Sequence, residues 1–430
     1  YHNKMKKNIP PTELLEFNTK PIDKLKVLNE DLIEDFPILA TKVNGCRLAY
    51  LDNAASTQVP NFVLDKMSYY QQNTHSNIHR AVHMLSEKST KEFEDARTKI
   101  RNFLNAEKNS EIIFTKGTTS SINMVANSFV KNLLNPGDEV LISYLEHHSN
   151  IVPWQIITKE KQANLKVIPM NHDGELVLED LEKLVTKKTK FISISHVSNA
   201  LGTVTNINKI IAFAKSFNIP VLVDAAQSVP HQPLDVKKID CDFLVFSGHK
   251  MCAPTGIGIL YGKEKLLSQF TPYESGGDMI LSVTFEKTVY NQLPYYLEAG
   301  TPPISQAIAL GYAIDYLCKI GLENIHAHEQ RLYDLAISEL KKIQGVKIYG
   351  NSVNHSGVIS FTIDGVHPHD IGTLLNEKGV AIRTGHHCAQ PVMNFYKIAA
   401  TARASFYFYN SEKDIHQLVD GINYVKKIFD

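Results

Sequence analysis

Two short runs carry residue types that do covalent chemistry. The first is Ser247-Gly248-His249-Lys250. It follows an apolar run, Cys241-Asp242-Phe243-Leu244-Val245-Phe246, whose composition predicts a buried strand. A lysine just past such a strand is desolvated, which lowers its pKa and turns the amine into a nucleophile or base. A lone Ser-x-x-Lys reads equally well as a loop closure. The upstream run Val221-Leu222-Val223-Asp224-Ala225-Ala226-Gln227 changes this, because it sets an aspartate at the end of another apolar strand. Pyridoxal phosphate needs a lysine to hold it as a Schiff base and a carboxylate against its pyridinium nitrogen. Lys250 and Asp224 meet both requirements.

The second run is Arg383-Thr384-Gly385-His386-His387-Cys388. An arginine and two histidines beside a thiol favour the thiolate. Three readings stand beside one another: a reactive thiol, a buried structural cysteine, and a His-His-Cys metal site. The metal reading is disfavoured because adjacent residues rarely point at one ion and no spaced Cys or His pair accompanies them. Further on, Arg403 precedes an aromatic run and can clamp a carboxylate through two parallel hydrogen bonds. Its alternative reading is a salt bridge at the surface or between domains.

The elements that must position these groups alternate. Apolar strands are predicted at 111–115, 139–143, 166–169, 191–195 and 221–223, with helices at 88–106, from Thr118 to Asn132, 178–186 and 206–217. This alternation predicts an α/β fold with a mostly parallel sheet covered on both faces. Ligands gather at the carboxyl ends of such strands. Thr119, His147, Asn199, Asp224 and Lys250 all fall just after a strand. The Lys116-Gly117-Thr118-Thr119 turn opens a helix, which makes either an anion site or a plain N-cap. A helix from Ser305 to Ile320 carries the domain change. Beyond it lies a smaller α/β domain, with helices at 322–343, 368–378 and 411–428 and strands at 346–349 and 356–363. The division reads as an extension at 1–23, poorly ordered in part, an N-terminal segment at 24–45 that packs with the small domain, a large domain at 46–310 and a small one at 311–430. An amphipathic helix is expected from Leu25 to Pro37.

With 430 residues and zero formal net charge, the chain has room for a large core and no electrostatic signature of nucleic-acid binding. No apolar stretch approaches the ~20 residues of a membrane helix. Five unpatterned cysteines argue for a reducing compartment, with all but Cys388 read as inert core thiols. That compartment is the cytoplasm, or an organelle such as a plastid if the N-terminus is a trimmed transit peptide.

The motifs Leu51-Asp52-Asn53-Ala54-Ala55-Ser56, Gly117-Thr118-Thr119, Glu146-His147-His148-Ser149-Asn150, Ser247-Gly248-His249-Lys250, Arg383 to Cys388 and Arg403-Ala404-Ser405-Phe406-Tyr407 together resemble the SUF-type (group II) cysteine desulfurases. These are fold-type I pyridoxal-phosphate enzymes of the class-V aminotransferase family. The short loop from Arg383 to Cys388 narrows the resemblance to this group. It implies that L-cysteine yields L-alanine and a persulfide on Cys388, with the sulfur passed to an acceptor protein for iron–sulfur cluster assembly. Lys250 would hold the cofactor, Asp224 would meet its nitrogen, Gln227 its ring oxygen, and His147 would stack on the ring and handle the substrate thiol proton. Thr118, Thr119, Ser247 and His249 would bind the phosphate, with Thr301 reaching it from the other subunit of a homodimer. Asn199, beside the cofactor, and Arg403 would hold the substrate carboxylate. Arg383 and His79 would line the pocket, and Arg80 would lie near the dimer-facing side. His369 would join the zinc of a zinc-binding acceptor, or else simply begin a helix. Ser120 and Ala253 depart from the residues usual in the family. A selenocysteine lyase, a pyridoxal aminotransferase and a non-catalytic assembly component are the competing readings.

Overall fold

The computed structural model describes residues 30–429. The expected extension at 1–23, and the start of the helix expected from Leu25, lie outside them. The described chain opens with a short 3₁₀ segment, Glu30–Asp35, and a second at Pro37–Ala40, instead of an α-helix running to Pro37. Proline has no N–H to continue the ladder, and Phe36 before it is extended away from the helical region. The Phe36 ring is fully buried against Tyr316, Phe408 and Tyr409.

Seven strands form the central sheet. Their spatial order is Ile112–Thr115, Gly258–Gly262, Phe243–Ser247, Val221–Asp224, Thr189–Ser195, Glu139–Ser143 and Asn164–Ile168. Gly258–Gly262 is antiparallel to both neighbours, and the remaining pairs are parallel. Phe243–Ser247 and Val221–Asp224 are buried at every position, as strands covered on both faces must be. One face carries Ile207–Ser216 and the long helix Ile304–Ile320, the latter packed on Met84–Leu104 and Asn61–Asn73. The other carries the helical run from Thr118 and the helix Val152–Glu160.

Register brings the functional ends together. Ser195 pairs with Asp224, and Gly258 pairs with both Ser247 and Thr115. The approach at Gly258 is tight. A Cβ there would sit 2.3 Å from the Cα of Gly117, whose own φ is +152°. Two glycines are therefore needed for the Thr118 turn to lie against the strand end that carries Lys250.

A second sheet is antiparallel, in the order Val346–Tyr349, Val358–Ile363, Thr401–Ser405, Arg383–Gly385. Helices Leu322–Leu340, Pro368–Glu377 and Glu412–Phe429 pack around its core. Ala49 and Leu51 belong to that core as well, since Ala49–Tyr50 pairs in parallel with Val380–Ala381. Ile304–Ile320 lies along the helices of the large sheet over its whole buried face. We infer that the small unit takes in the segment around Ala49, and that the change of unit falls at Gly321 (φ +91°) instead of within the helix.

The helix expected at 178–186 is shorter, a 3₁₀ turn Leu178–Asp180 and then Leu181–Leu184. The Thr186 N–H turns instead to Thr189 Oγ1 at 3.0 Å. Cys241 and Cys252 are buried as expected, but Cys46 is half-buried and Cys318 exposed. Apolar neighbours in sequence do not fix burial where the residue sits on the outer side of a helix or at a short edge strand.

Candidate active site

The carboxyl ends of the central sheet and the edge of the small sheet enclose a cavity of about 170 Å³. Lys250, Asp224, Gln227, His147, Asn199, Thr118, Thr119, Ser247, His249, Arg383, Arg403 and Cys388 all line it. Of the residues expected to line the pocket from within the chain, His79 does not, being engaged with Glu94 at 3.0 Å and with the Tyr295 ring edge. Thr301, expected to serve the other subunit, is exposed. The His79 residue has a left-handed backbone (φ 70°) and donates its N–H to Thr90 Oγ1, which fixes it on the Met84–Leu104 helix. Arg80, beside it, pairs with Asp278 at 3.0 Å.

Lys250 ends a single 3₁₀ turn, Gly248–Lys250, that closes the strand Phe243–Ser247. Gly248 is required there, because a Cβ would meet Ile257 at 2.7 Å. The Lys250 amine donates no hydrogen bond among the described residues. Burial pushes its pKa down to about 8, Asp224 works in the opposite direction, and Arg403 and Arg383 assist the lowering. Asp224 is itself buried. Its Oδ1 accepts the Ala226 N–H at 3.0 Å, while burial raises its pKa against that bond and against Lys250. Gln227 donates from Nε2 to the Ala54 carbonyl at 2.7 Å, which fixes its amide on the cavity wall.

His147 begins the turn His148–Asn150, and its Nδ1 accepts the Ser149 N–H at 3.1 Å. The ring proton therefore sits on Nε2. Burial, Lys250, His148, Arg383 and Arg403 together push its pKa down to about 3. The ring is neutral and offers an Nε2–H donor, which makes it a better stabiliser of a sulfur anion than a base toward a thiol.

Thr118 opens the helix Thr118–Val125 with its N–H on Ser247 Oγ at 2.8 Å and its hydroxyl on the same oxygen at 2.7 Å. Hydroxyls, a helix N-terminus and the neighbouring Thr119 converge on one corner of the cavity, as an anion site requires. His249 is held by its carbonyl, which accepts from Thr57 N and Ser56 Oγ.

Opposite Lys250, Arg403 is 2% exposed. Its Nη1 donates to the Asn199 carbonyl at 2.8 Å and its Nη2 to Asp52 at 3.2 Å, while the buried Nε has no partner. Both sequence readings of Arg403 thus have a counterpart: a salt bridge to Asp52, and an unsatisfied guanidinium edge beside the cavity. Asn199 donates Nδ2 to the His387 carbonyl at 2.6 Å, tying the large sheet to the cysteine loop. Cys388 is half-buried, and His387 and Cys388 have left-handed backbones, with φ of 53° and 54°.

Some contributors were not singled out from sequence. Asp52 sits in a motif, but nothing local shows that it meets Arg403 across the fold. Ala54, Ser195 and Ala226 line the cavity through topology alone. Glu146 is fully enclosed and accepts from the Ser195 N–H at 2.9 Å, the Ser195 hydroxyl at 2.6 Å and Asn150 Nδ2 at 2.5 Å. Burial nonetheless raises its pKa to about 7. An acid inside an otherwise apolar strand–turn run was the available signal.

A buried lysine facing a buried carboxylate, with a hydroxyl-lined turn at the carboxyl ends of a parallel sheet, defines an α/β enzyme that works through a lysine amine. The family model of class-V aminotransferases matches residues 49–418. Among curated proteins the chain is 46% identical over 394 residues to a probable cysteine desulfurase of Halalkalibacterium halodurans, covering 92% of this chain and 97% of that one. It is 47% identical over 400 residues to a probable cysteine desulfurase of Staphylococcus aureus, covering 93% and 97%. A solved cysteine desulfurase from Thermococcus onnurineus superposes with a TM-score of 0.89 at 37% identity, covering 93% of this chain and 98% of that one. One from Escherichia coli superposes with a TM-score of 0.87 at 34% identity, covering 94% and 100%. The chain belongs to the cysteine desulfurases of the class-V aminotransferase family.

Proposed function

We propose that this enzyme moves sulfur from L-cysteine to Cys388 with the help of pyridoxal phosphate, releasing L-alanine. The observation that supports this best is that Lys250, Cys388 and Arg403 line one cavity. The donor set also suits the cofactor. Lys250 offers a free amine, Asp224 a buried carboxylate, and Thr118, Thr119, Ser247 and His249 a phosphate corner. Bound pyridoxal phosphate supplies an electron sink that labilises the α-proton and the β-carbon–sulfur bond of the amino acid.

The residues then divide the remaining work. Arg403, with Asn199, holds the substrate carboxylate, its bonds to Asp52 and to the Asn199 carbonyl keeping the guanidinium aimed. Lys250 takes the α-proton, a task suited to an amine whose pKa burial has lowered. Neutral His147, on the cavity wall, would offer its Nε2–H as a donor beside the bound cofactor. Arg383 lines the approach from the small sheet. Cys388 Sγ attacks the substrate sulfur. A sulfur–sulfur bond forms, the carbon–sulfur bond breaks, and its electron pair stays with the three-carbon fragment that leaves, after proton uptake, as alanine.

The persulfide sulfur passes to an acceptor protein of the SUF type, for iron–sulfur cluster assembly. His369 is a candidate contact. It is exposed on the first turn of Pro368–Glu377, whose Gly372 packs directly on Thr384 in the strand before Cys388. A zinc-binding acceptor fits that ring. No helix among the described residues is long and apolar enough to cross a membrane. We place the reaction in a reducing compartment, where the thiol stays free.

Incubation with L-cysteine and a reductant tests the reading. The parent enzyme should release alanine and sulfide in equal amounts. Lys250→Ala should release neither and lose the visible absorbance of the bound coenzyme. Cys388→Ala should keep that absorbance and lose alanine release. Alanine formed by Cys388→Ala at the parental rate would overturn the role of the thiol.

A further inference from the structure

His148 has no part in the chemistry described so far, yet it holds the cysteine loop at Cys388 and just beyond it. Its backbone N–H donates to the Cys388 carbonyl at 2.7 Å. Its ring Nε2 accepts the Gln390 N–H at 3.1 Å. Its ring also packs on His386, centroids 5.5 Å apart, and His386 Nδ1 accepts the Cys388 N–H at 3.2 Å. Burial and His386 both favour the uncharged ring that this acceptor role needs.

The loop requires such a grip. Two successive non-glycine residues, His387 and Cys388, are left-handed. That conformation is sparsely populated, and it persists only where the surroundings over-determine it. Asn199 holds the carbonyl of His387, and Thr401 Oγ1 meets the His387 ring at 2.8 Å. Among the described residues, only His148 bonds to the loop backbone both at the sulfur-bearing residue and two residues beyond it, at the Cys388 carbonyl and the Gln390 N–H. It also comes directly after His147, and both lie on the turn Glu146 anchors. The ring that faces the cavity and the thiol loop are thereby referred to one rigid piece of backbone.

We propose that His148 is a positioning residue that fixes Cys388 for sulfur transfer. The proposal rests on the reading of Cys388 as the sulfur acceptor. Its effect is confined to the step in which the thiol acts, because the contacts of His148 reach the loop and not Lys250.

The test compares the holoenzyme with His148→Phe, which keeps a ring but cannot accept a hydrogen bond, and His148→Gln, whose Oε1 can. His148→Leu replaces the Phe variant if that protein does not fold. On mixing with L-cysteine, the early change in coenzyme absorbance should keep its parental rate in both variants. In the Phe variant kcat for alanine release should fall by about tenfold or more with KM little changed, since small misplacements of a reacting group are costly. His148→Gln should recover most of that loss. Amide hydrogen exchange in the segment around Gln390 should quicken in the Phe variant and return toward parental rates in the Gln variant. Parental kcat in the Phe variant, an equal loss in the early absorbance step, or a Gln variant as slow as the Phe variant would each overturn the proposal. Cys388→Ala run alongside separates the two readings. If it makes alanine at the parental rate, the sulfur-acceptor reading falls first. If it is inactive while His148→Phe matches the parent, only the positioning role falls.

Discussion

Lys250 shows how burial sets chemistry at a single side chain. An amine in water keeps its proton until well above neutral pH, whereas burial pushes the pKa of this one down to about 8, two nearby guanidinium groups assisting. Asp224 opposes the shift but does not cancel it. The sign gives a prediction for the enzyme stripped of its coenzyme. Capture of pyridoxal phosphate needs the unprotonated amine, so its rate should climb as pH rises toward about 8 and level off above it. Stopped-flow absorbance on the stripped enzyme measures this, and a rate still climbing steeply at pH 10 would show an unshifted amine. His147 teaches the converse. Its Nδ1 accepts the Ser149 N–H, and burial with the surrounding cations pushes its pKa down to about 3, so the resting ring is neutral and donates through Nε2.

At the level of elements, the site depends on how closely strand ends approach. Gly258 and Gly117 touch backbone to backbone, which lets Ser247 and Thr118 share a hydrogen bond at the phosphate corner. Gly258→Ala should force the strands Ile112–Thr115 and Gly258–Gly262 apart. Overpacking of this kind costs about 1–3 kcal/mol. Thermal unfolding should show the loss, and affinity for pyridoxal phosphate should drop with it, whereas unchanged values for both would deny the contact its importance. A second device holds the outer helix. Arg97 is wholly buried and bonds Glu298 at 2.7 and 2.9 Å, Glu94 at 3.0 Å and the Ile112 carbonyl at 2.7 Å. Burial works to lower its pKa, but Glu298 and Glu94 raise it by more. Glu298 in turn accepts the Phe114 N–H, which pins the segment leading to Thr301.

That segment matters for the molecule as a whole. Thr301 is exposed and does not line the cavity of its own chain, the placement a residue needs if it serves the partner subunit of a homodimer. Heterodimers of Lys250→Ala with Thr301→Asp test this. If Thr301 acts across the interface, one site of the mixed dimer is intact and about half the parental activity should return. If it acts within its own chain, no site is intact and activity should stay at the level of the single variants.

The fold class was legible in sequence because parallel strands buried on both faces leave uninterrupted apolar runs, as at Val221–Asp224 and Phe243–Ser247. Lys250, Asp224, His147 and Cys388 were legible because each combines an unusual residue type with a strand end or loop. Asp52 and Glu146 were not, since their partners, Arg403 and Ser195, lie far along the chain and only packing brings them together. The α-helix expected up to Pro37 and the end of the helix from 178 were misjudged because Pro37 and local hydrogen bonds outweighed periodicity.

The order of residues by itself determined which groups can react and which runs become strands, because desolvation and side-chain period act over a few neighbours. Tertiary structure alone decided that a carboxylate at 52 steadies the guanidinium at 403 and that a histidine at 148 grips the loop at 388. Those outcomes depend on distances between separate elements, and such distances exist only once the two sheets have closed on one another.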